Sequence, residues 1–354
     1  MRVVAGIAGA ALIMLLLSEF FVTFMLPRRV RRDPRIARRF NRLLWRPWRA
    51  FARGLSPATA DTMLGLFGPL ALLLELAVWV IGLMIGYGLL EWAVAGGSVS
   101  DSFLGSSGLF LSAGSTNGST GLRIVELLEA ATGLGVLFIV IGYMPAVYTG
   151  FSRREIAVSQ LATRGGSPPA AGTLIHRAAG REHWRDLERD LQGWEEWAAE
   201  LMETHLSYPL LAFYRSQHVN QNWLAALTAM VDVAAFVKAT SADGELEAAD
   251  VTFRIGRHAL ADLSLQFGLE AAPVDRLSDV DFDDLFDIVE RSSVETVDQE
   301  TARRHLEKLR ALYEPNAQAL AEFLALDLPP WFRREDDPAV RRAARVDVGR
   351  DLVG

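Results

Sequence analysis

Cysteine is missing from all 354 residues. The chain therefore has no route to a disulfide, a thiol nucleophile or a cysteine-ligated metal. That absence is compatible with a reducing cytoplasm but does not require one. The six histidines show no HExxH pattern, which argues against a histidine-built metal centre. The acidic stretch DVDFDD (Asp279–Asp284) lacks the spacing of a calcium loop and reads instead as a charged helix start. Strand-type alternation is scarce, so a nucleotide-binding βαβ domain is not expected. No catalytic signature, cofactor motif or nucleic-acid partner emerges.

Charge is also scarce, but only in certain places. Val3–Leu26 carries Glu19 alone, Met63–Trp92 carries Glu75 and Glu91, and Ile124–Tyr148 carries Glu126 and Glu129. A membrane span needs about 20 residues, whereas a helix buried in a globular core averages about 11–12. The three runs therefore read as transmembrane helices rather than as core helices of a soluble protein. A cleaved signal peptide is the rival reading of the first run. Against it, the positive charge follows the run instead of preceding it, and no small-x-small cleavage site is present.

The net charge of −7 averages two unlike regions. Between Pro27 and Arg53 eleven arginines face a single acid, Asp33, whereas from Phe151 onward 23 basic residues face 35 acidic ones. That asymmetry predicts a membrane-surface element and a separate solvated domain. Arg28, Arg29, Arg31, Arg32, Arg35, Arg38 and Arg39 follow the first run, and Arg153 and Arg154 follow the third. Both clusters belong on the cytoplasmic side. Ala93–Arg123 holds one arginine and belongs outside. The expected topology has three spans, with the N-terminus outside and the C-terminus inside.

Between the second and third runs lies FLSAGSTNGSTG (Phe110–Gly121), which is small, hydroxyl-rich and uncharged. Just before it, DSFLGSSGLFL (Asp101–Leu111) fits a short helix with Asp101 or Ser102 as its cap. Irregular backbone is tolerated at membrane depth only where it is buried in protein or lines water. The loop is thus either an external connection or a re-entrant element lining a pathway.

The order span, short helix, loop, span resembles the bacterial potassium-channel family with one pore loop per subunit. Roughly Met63–Arg164 carries the resemblance, through SSGLFLSAG, LLEAATGLGVLFIVIGY and FSRREIAVSQLATRGGSPP. The cytoplasmic stretch SYPLLAFYRSQHVNQNWLAALTAM is similar to segments found in such proteins. The resemblance implies a homotetramer, since one loop per chain cannot enclose a pore, and a permeant monovalent cation, potassium or sodium. It places Ser112, Ala113, Gly114, Ser115, Thr116, Asn117 and Gly118 along the filter. There the sequence departs from the family motif Thr-Val/Leu-Gly-Tyr-Gly-Asp. Ser115 stands in place of Tyr, Thr116 in place of the second Gly and Asn117 in place of Asp. A register four residues later puts Thr116, Gly118 and Ser119 in the filter but shortens the link to Glu129. Potassium filters strip the hydration shell with rings of backbone carbonyls, a geometry that glycine adopts cheaply and β-branched Thr resists. Potassium selectivity is therefore not carried over.

Other residues are candidates for supporting roles. Glu129 lies near enough to the loop to brace the filter from behind. Glu75, in mid-span, is either functional or hydrogen-bonded to a neighbouring helix. Gly133, Gly135, Gly142 and Pro145 in the third run are candidate hinges, with close helix packing as the alternative for the earlier glycines.

Beyond the third run, GGSPPAAG (Gly165–Gly172) reads as a linker. Leu187, Leu191, Trp194, Ala198, Leu201 and His205 recur at helical spacing. Further helices are expected over Asn222–Thr240, around Ala248–Phe267, around Phe282–Arg291 and over Gln299–Leu326, with a charged, disordered tail from Arg333. The expected fold class is an all-α membrane protein with three transmembrane helices, a re-entrant pore helix and loop, and an all-α cytoplasmic domain. The division is an N-terminal span with an Arg-rich cytoplasmic linker (1–60), a pore-loop channel domain (61–150), a helical cytoplasmic domain (151–334) and the tail (335–354). A channel-derived scaffold or sensor that no longer conducts is the alternative function.

Overall fold

A computed structural model describes residues 1–24, 36–111, 119–179, 184–218, 220–242, 247–292 and 294–332. The described residues are helical and turn segments without a strand. Their one ladder-type contact is an isolated bridge between Ser241 and Thr296. Among the described residues four helices are long and apolar enough to cross a membrane. The chain divides into two compact units, Met1–Thr149 and Gly150–Gly354.

Unit one begins with α1 (Arg2–Phe24), α2 (Ile36–Arg53) and α3 (Pro57–Ala95), followed by α4 (Val99–Leu111) and the start of α5 (Thr120–Gly165). Alpha-1 and α3 lie side by side in opposite directions along a seam of small residues. A Cβ on Gly6 would lie 3.0 Å from Ala93, and one on Gly9 would lie 2.5 Å from the Gly86 carbonyl. Farther along, Leu16 occupies the space above Gly82, and Phe20 meets Trp79 edge-on at 5.4 Å. Such seams let backbones approach closely where no hydrophobic effect is available to drive helices together.

The second half of α3 pairs with α1, and its first half pairs with α2. Asn41 hydrogen-bonds the Glu75 carboxyl, Trp45 packs edge-on against Phe67 at 4.8 Å, and Trp48 Nε1 donates to the Met63 carbonyl at 2.9 Å. Rising residue numbers on α2 meet falling ones on α3, so the pair is an antiparallel hairpin closed by the turn at Gly54–Ser56. The segment expected as an Arg-rich linker thus contains an ordered helix. Its apolar stripe was hidden in the sequence by the arginines beside it.

Unit two is built around α8 (Trp223–Thr240). The other elements are α6 (Ala171–Ala179), α7 (Trp184–Ser207), a 3-10 turn at Pro209–Phe213, α9 (Glu247–Phe267), α10 (Asp279–Glu290), α11 (Gln299–Arg310) and α12 (Glu314–Leu324). Alpha-8 touches α6, α7, α9, α11 and α12, and of its residues only Lys238 is exposed. Side-chain caps fix three starts: Asn222 accepts from the Ala225 amide at 2.6 Å, Ser278 from Asp281 at 3.1 Å and Asp298 from Thr301 at 3.0 Å.

Two sequence expectations need correction here. Gly165–Gly172 is no loose linker. Gly165, Pro168, Pro169 and Ala170 are buried, and the Gly172 amide donates to the Trp331 carbonyl at 2.8 Å. Gln299–Leu326 is two helices, broken at Ala311–Tyr313 and restarted with Pro315 in the first turn of α12. Proline is pre-organised for that position and cannot continue a helix from behind.

Candidate functional site

The candidate site lies where α4 meets α3 and α5 within unit one. Alpha-4 runs two residues further upstream than the Asp101–Leu111 expected, with Asp101 in its first turn. It approaches α3 closely because Gly88 has no side chain: a Cβ there would lie 3.2 Å from the Phe103 ring. That approach seats Ser106, which is fully buried. Its hydroxyl lies 3.0 Å from the Met84 carbonyl of α3 and also hydrogen-bonds the Glu129 carboxyl of α5. Ser106 thus ties three helices at one point.

Glu129 is also fully buried, and the Glu91 carboxyl of α3 is close enough to share a hydrogen bond with it. Glu126, one turn earlier on α5, is buried beside them. A serine hydroxyl holds one proton. It satisfies both the Met84 carbonyl and Glu129 only if a carboxyl proton is shared within the cluster. One turn further on, the Tyr87 hydroxyl hydrogen-bonds Thr132 Oγ1 at 2.7 Å and lies 3.3 Å from the Leu128 carbonyl. Alpha-5 is therefore held to α3 and α4 by polar side chains on one face.

The opposite face of α5 is apolar and exposed. Leu127, Leu134, Ile141 and Tyr148 recur every seven residues, with Ile124 and Phe138 beside them. This is the stripe of a helix that packs against something other than its own chain.

The predicted site residues fall in three groups. Ser112, Ala113, Gly114, Ser115, Thr116, Asn117 and Gly118 lie outside the described residues; Leu111 closes α4 before them and Thr120 opens α5 after them. Glu129 sits directly against α4. Gly135, Gly142 and Pro145 lie within α5, which is helical throughout. A Cβ added at Gly135 or Gly142 would meet nothing within 4 Å among the described residues beyond its own helix. Glu75 makes a hydrogen bond to the neighbouring helix, through Asn41. Sequence reasoning passed over Ser106, Tyr87 and Glu91. Glu91 had a signal: it is the second acid of its span, at the end nearest Glu126 and Glu129.

Unit two holds two further polar constellations. Arg154, buried, donates to the Leu211 and Tyr214 carbonyls at 2.8 and 2.9 Å and approaches His205 Nε2 at 3.3 Å. His205 Nδ1 lies 2.9 Å from the Leu201 carbonyl. That bond sets the neutral tautomer, with Nε2 accepting from the guanidinium. Burial first and Arg154 second push the His205 pKa well below its ordinary value. Asp232, in the middle of α8, pairs with Arg276 at 2.6 Å, accepts from the Tyr313 hydroxyl, and sits beside Glu314, which binds Arg276 at 2.9 Å and Arg310 at 3.0 Å. Burial works against the Arg276 charge, but Asp232, Tyr313 and Glu314 outweigh it and hold its pKa above the ordinary value. A cavity of about 380 Å³ opens nearby, lined by Asp275, Asp279, Phe282, Arg303, Leu306 and Arg310 among others. Both arginines on its wall are already paired with acids. Among the described residues no group of three or more acidic or histidine side chains is arranged to hold a metal.

No family model matches the chain, and neither a curated protein nor a solved structure matches it significantly.

Proposed function

We propose that this chain is one subunit of a homotetrameric pore-loop cation channel, similar to potassium channels but with weak or altered potassium selectivity. The observation that carries the reading is the Ser106 tie. The short helix α4 is tied through Ser106 to α3 and to Glu129 of α5, an anchor that would hold it in place to aim a loop at a pathway. In this reading α1, the second half of α3 and the first half of α5 are three spans, with the N-terminus outside and unit two in the cytoplasm. The fourth apolar helix, α8, is excluded because its neighbours in unit two already cover it. The exposed heptad stripe of α5 supplies the surface through which four copies surround an axis.

Ser112–Gly118 then line the narrowest part of the path. Hydroxyls of Ser112, Ser115 and Thr116 and the amide of Asn117 replace some of the carbonyls that a potassium filter presents, so less of the hydration shell is stripped and sodium is penalised less. Oxygen dipoles and the exposed acid Asp101 favour cations, potassium or sodium, over anions, while Glu129, with Glu126 buried beside it, braces the loop. Gly135, Gly142 and Pro145 are where α5 would bend on opening.

Planar-bilayer recording of the purified protein under ion gradients tests this. The expected result is a cation current whose reversal potential lies between the potassium and sodium equilibrium values. Ser115→Tyr with Thr116→Gly should move it toward potassium. Glu129→Ala should abolish the current, and Glu129→Gln should retain part of it. A wild-type potential at the potassium value overturns the selectivity reading, and one at the chloride value overturns the cation reading. Silence from intact tetramers would replace the channel with a non-conducting scaffold.

A further inference from the structure

Alpha-2 has three longitudinal faces, each one residue out of step with the next. Asn41, Trp45, Trp48 and Ala52 form the first, and Trp45 and Ala52 are fully buried against α3. Arg42, Arg46, Arg49 and Arg53 form the second, with Arg46 and Arg53 exposed. Leu43, Pro47 and Ala50 form the third, and Phe51 widens it. All four of these are exposed, Leu43 at 71% and Phe51 at 64%. Neighbouring residues on a helix are about 100° apart, so the arginine stripe divides the packed face from a bare apolar one.

The helix also has a definite level in the fold. Phe20 near the end of α1 meets Trp79, and Asn41 near the start of α2 meets Glu75. Alpha-2 therefore begins where α1 ends, beside the half of α3 that α1 does not cover. The half of α3 that α2 flanks also shows bare leucines, Leu66 and Leu70, so the apolar surface of α3 continues alongside α2.

We infer that α2 is a lipid-binding helix: its arginine stripe holds the phosphate headgroups of anionic phospholipids while Leu43, Pro47, Ala50 and Phe51 sit among their acyl chains. Charge decides the occupant. A second copy of α2 would cover the apolar face but bring one arginine stripe against another, whereas an anionic phospholipid offers the opposite charge and an apolar tail in one molecule. This rests on the chain being embedded in a bilayer and not on whether it conducts.

Native mass spectrometry of the full chain in neutral detergent, titrated with phosphatidylglycerol or phosphatidylcholine, tests the inference. Phosphatidylglycerol should bind more tightly. An arginine near a membrane surface contributes about fivefold in affinity. Arg46→Gln with Arg53→Gln should therefore weaken phosphatidylglycerol by about 25-fold and leave phosphatidylcholine unchanged. Arg46→Lys with Arg53→Lys, which keeps the charge, should restore binding. Leu43→Ser with Phe51→Ser should weaken both lipids. Changing Arg189 and Arg291, exposed in unit two, to Gln should alter neither. Equal affinity for the two lipids, or full phosphatidylglycerol binding by the Arg46/Arg53 glutamine variant, overturns the inference. So does stabilisation by inorganic phosphate equal to that by phosphatidylglycerol, which would make the stripe a free-phosphate site.

Discussion

Alpha-3 and α8 are both long and apolar, yet they end up in opposite surroundings. Around α8 five helices leave only Lys238 exposed, and the one acid in its middle, Asp232, is met by Arg276 and Tyr313. Alpha-3 has α1, α2 and α4 against parts of its surface and still leaves Leu66, Leu73, Leu74, Ile81 and Ile85 open. Hydropathy averaged along a helix cannot separate the two cases. What separates them is whether the rest of the chain supplies an amphipathic partner for each turn. Unit two has such partners in α7, α9 and α11, whose polar faces meet water. Unit one has exposed apolar helices and needs another solvent.

The sharpest way to break the comparison is to damage the polar pair inside α8's surroundings. Arg276→Met strands the buried Asp232 without its cation and leaves Glu314 with Arg310 alone, and should destabilise unit two by about 3–5 kcal/mol. Denaturant unfolding monitored in detergent measures it, and a loss below 1 kcal/mol would show that the pair does not hold α8 in place. Next in size is the seam of unit one. Gly9→Leu forces a side chain into the Gly86 carbonyl and should cost about 1–3 kcal/mol. Gly135→Ala, where nothing lies within 4 Å, should be neutral or stabilise by up to about 1 kcal/mol. The melting temperature should therefore fall for Gly9→Leu and hold or rise for Gly135→Ala, and an equal fall in both would count against the packed seam.

Smaller still is a proton effect. Burial holds His205 neutral and its pKa below the unfolded value of about 6.5. Below that pH the unfolded chain binds a proton that the folded one refuses. Its stability contribution is complete above about pH 6.5 and falls as the pH drops, by up to about 1.4 kcal/mol per unit. Melts of wild type and His205→Asn between pH 7.5 and 5.5 should show the steeper decline in wild type, and parallel slopes would contradict a neutral buried imidazole. Smallest is Arg291→Ala, which removes an exposed pair with Asp287 and should change stability by no more than about 0.5 kcal/mol.

Much of this architecture was readable from local pattern. The apolar runs begin and end within a few residues of α1 and of the apolar parts of α3 and α5. The 4-3-4 spacing from Leu187 to His205 became α7, whose Leu187, Leu191, Ala198 and Leu201 are buried. The short helix before the loop was visible in its length but not in its cap: it starts at Val99, so Asp101 and Ser102, expected to cap it, lie inside it. Long-range pairing was not readable: Asp232, Arg276 and Glu314 lie far apart in the chain, and no local spacing links them. Ser106 was hidden for a related reason. A serine in SSGLFL gains meaning only when Gly88 lets α4 approach and Glu129 arrives from the next helix. Alpha-2 was missed because eleven arginines dominated the composition of its region, although two stripes at 4-3-4 spacing, Asn41–Ala52 and Arg42–Arg53, were present in the sequence.

The glycine seam between α1 and α3 bears on how the protein is made. Alpha-1 leaves the ribosome well before α3 does, and in the interval it has no partner. If the chain spans a bilayer as proposed, α1 can wait in the lipid because its backbone hydrogen bonds are internal and its seam face carries glycines rather than groups that demand a mate. When α3 follows, docking requires only that two smooth surfaces find their register, with Leu16 settling over Gly82 and Phe20 against Trp79. On that reading insertion and assembly are separable steps, the second needing only the register that the glycines set.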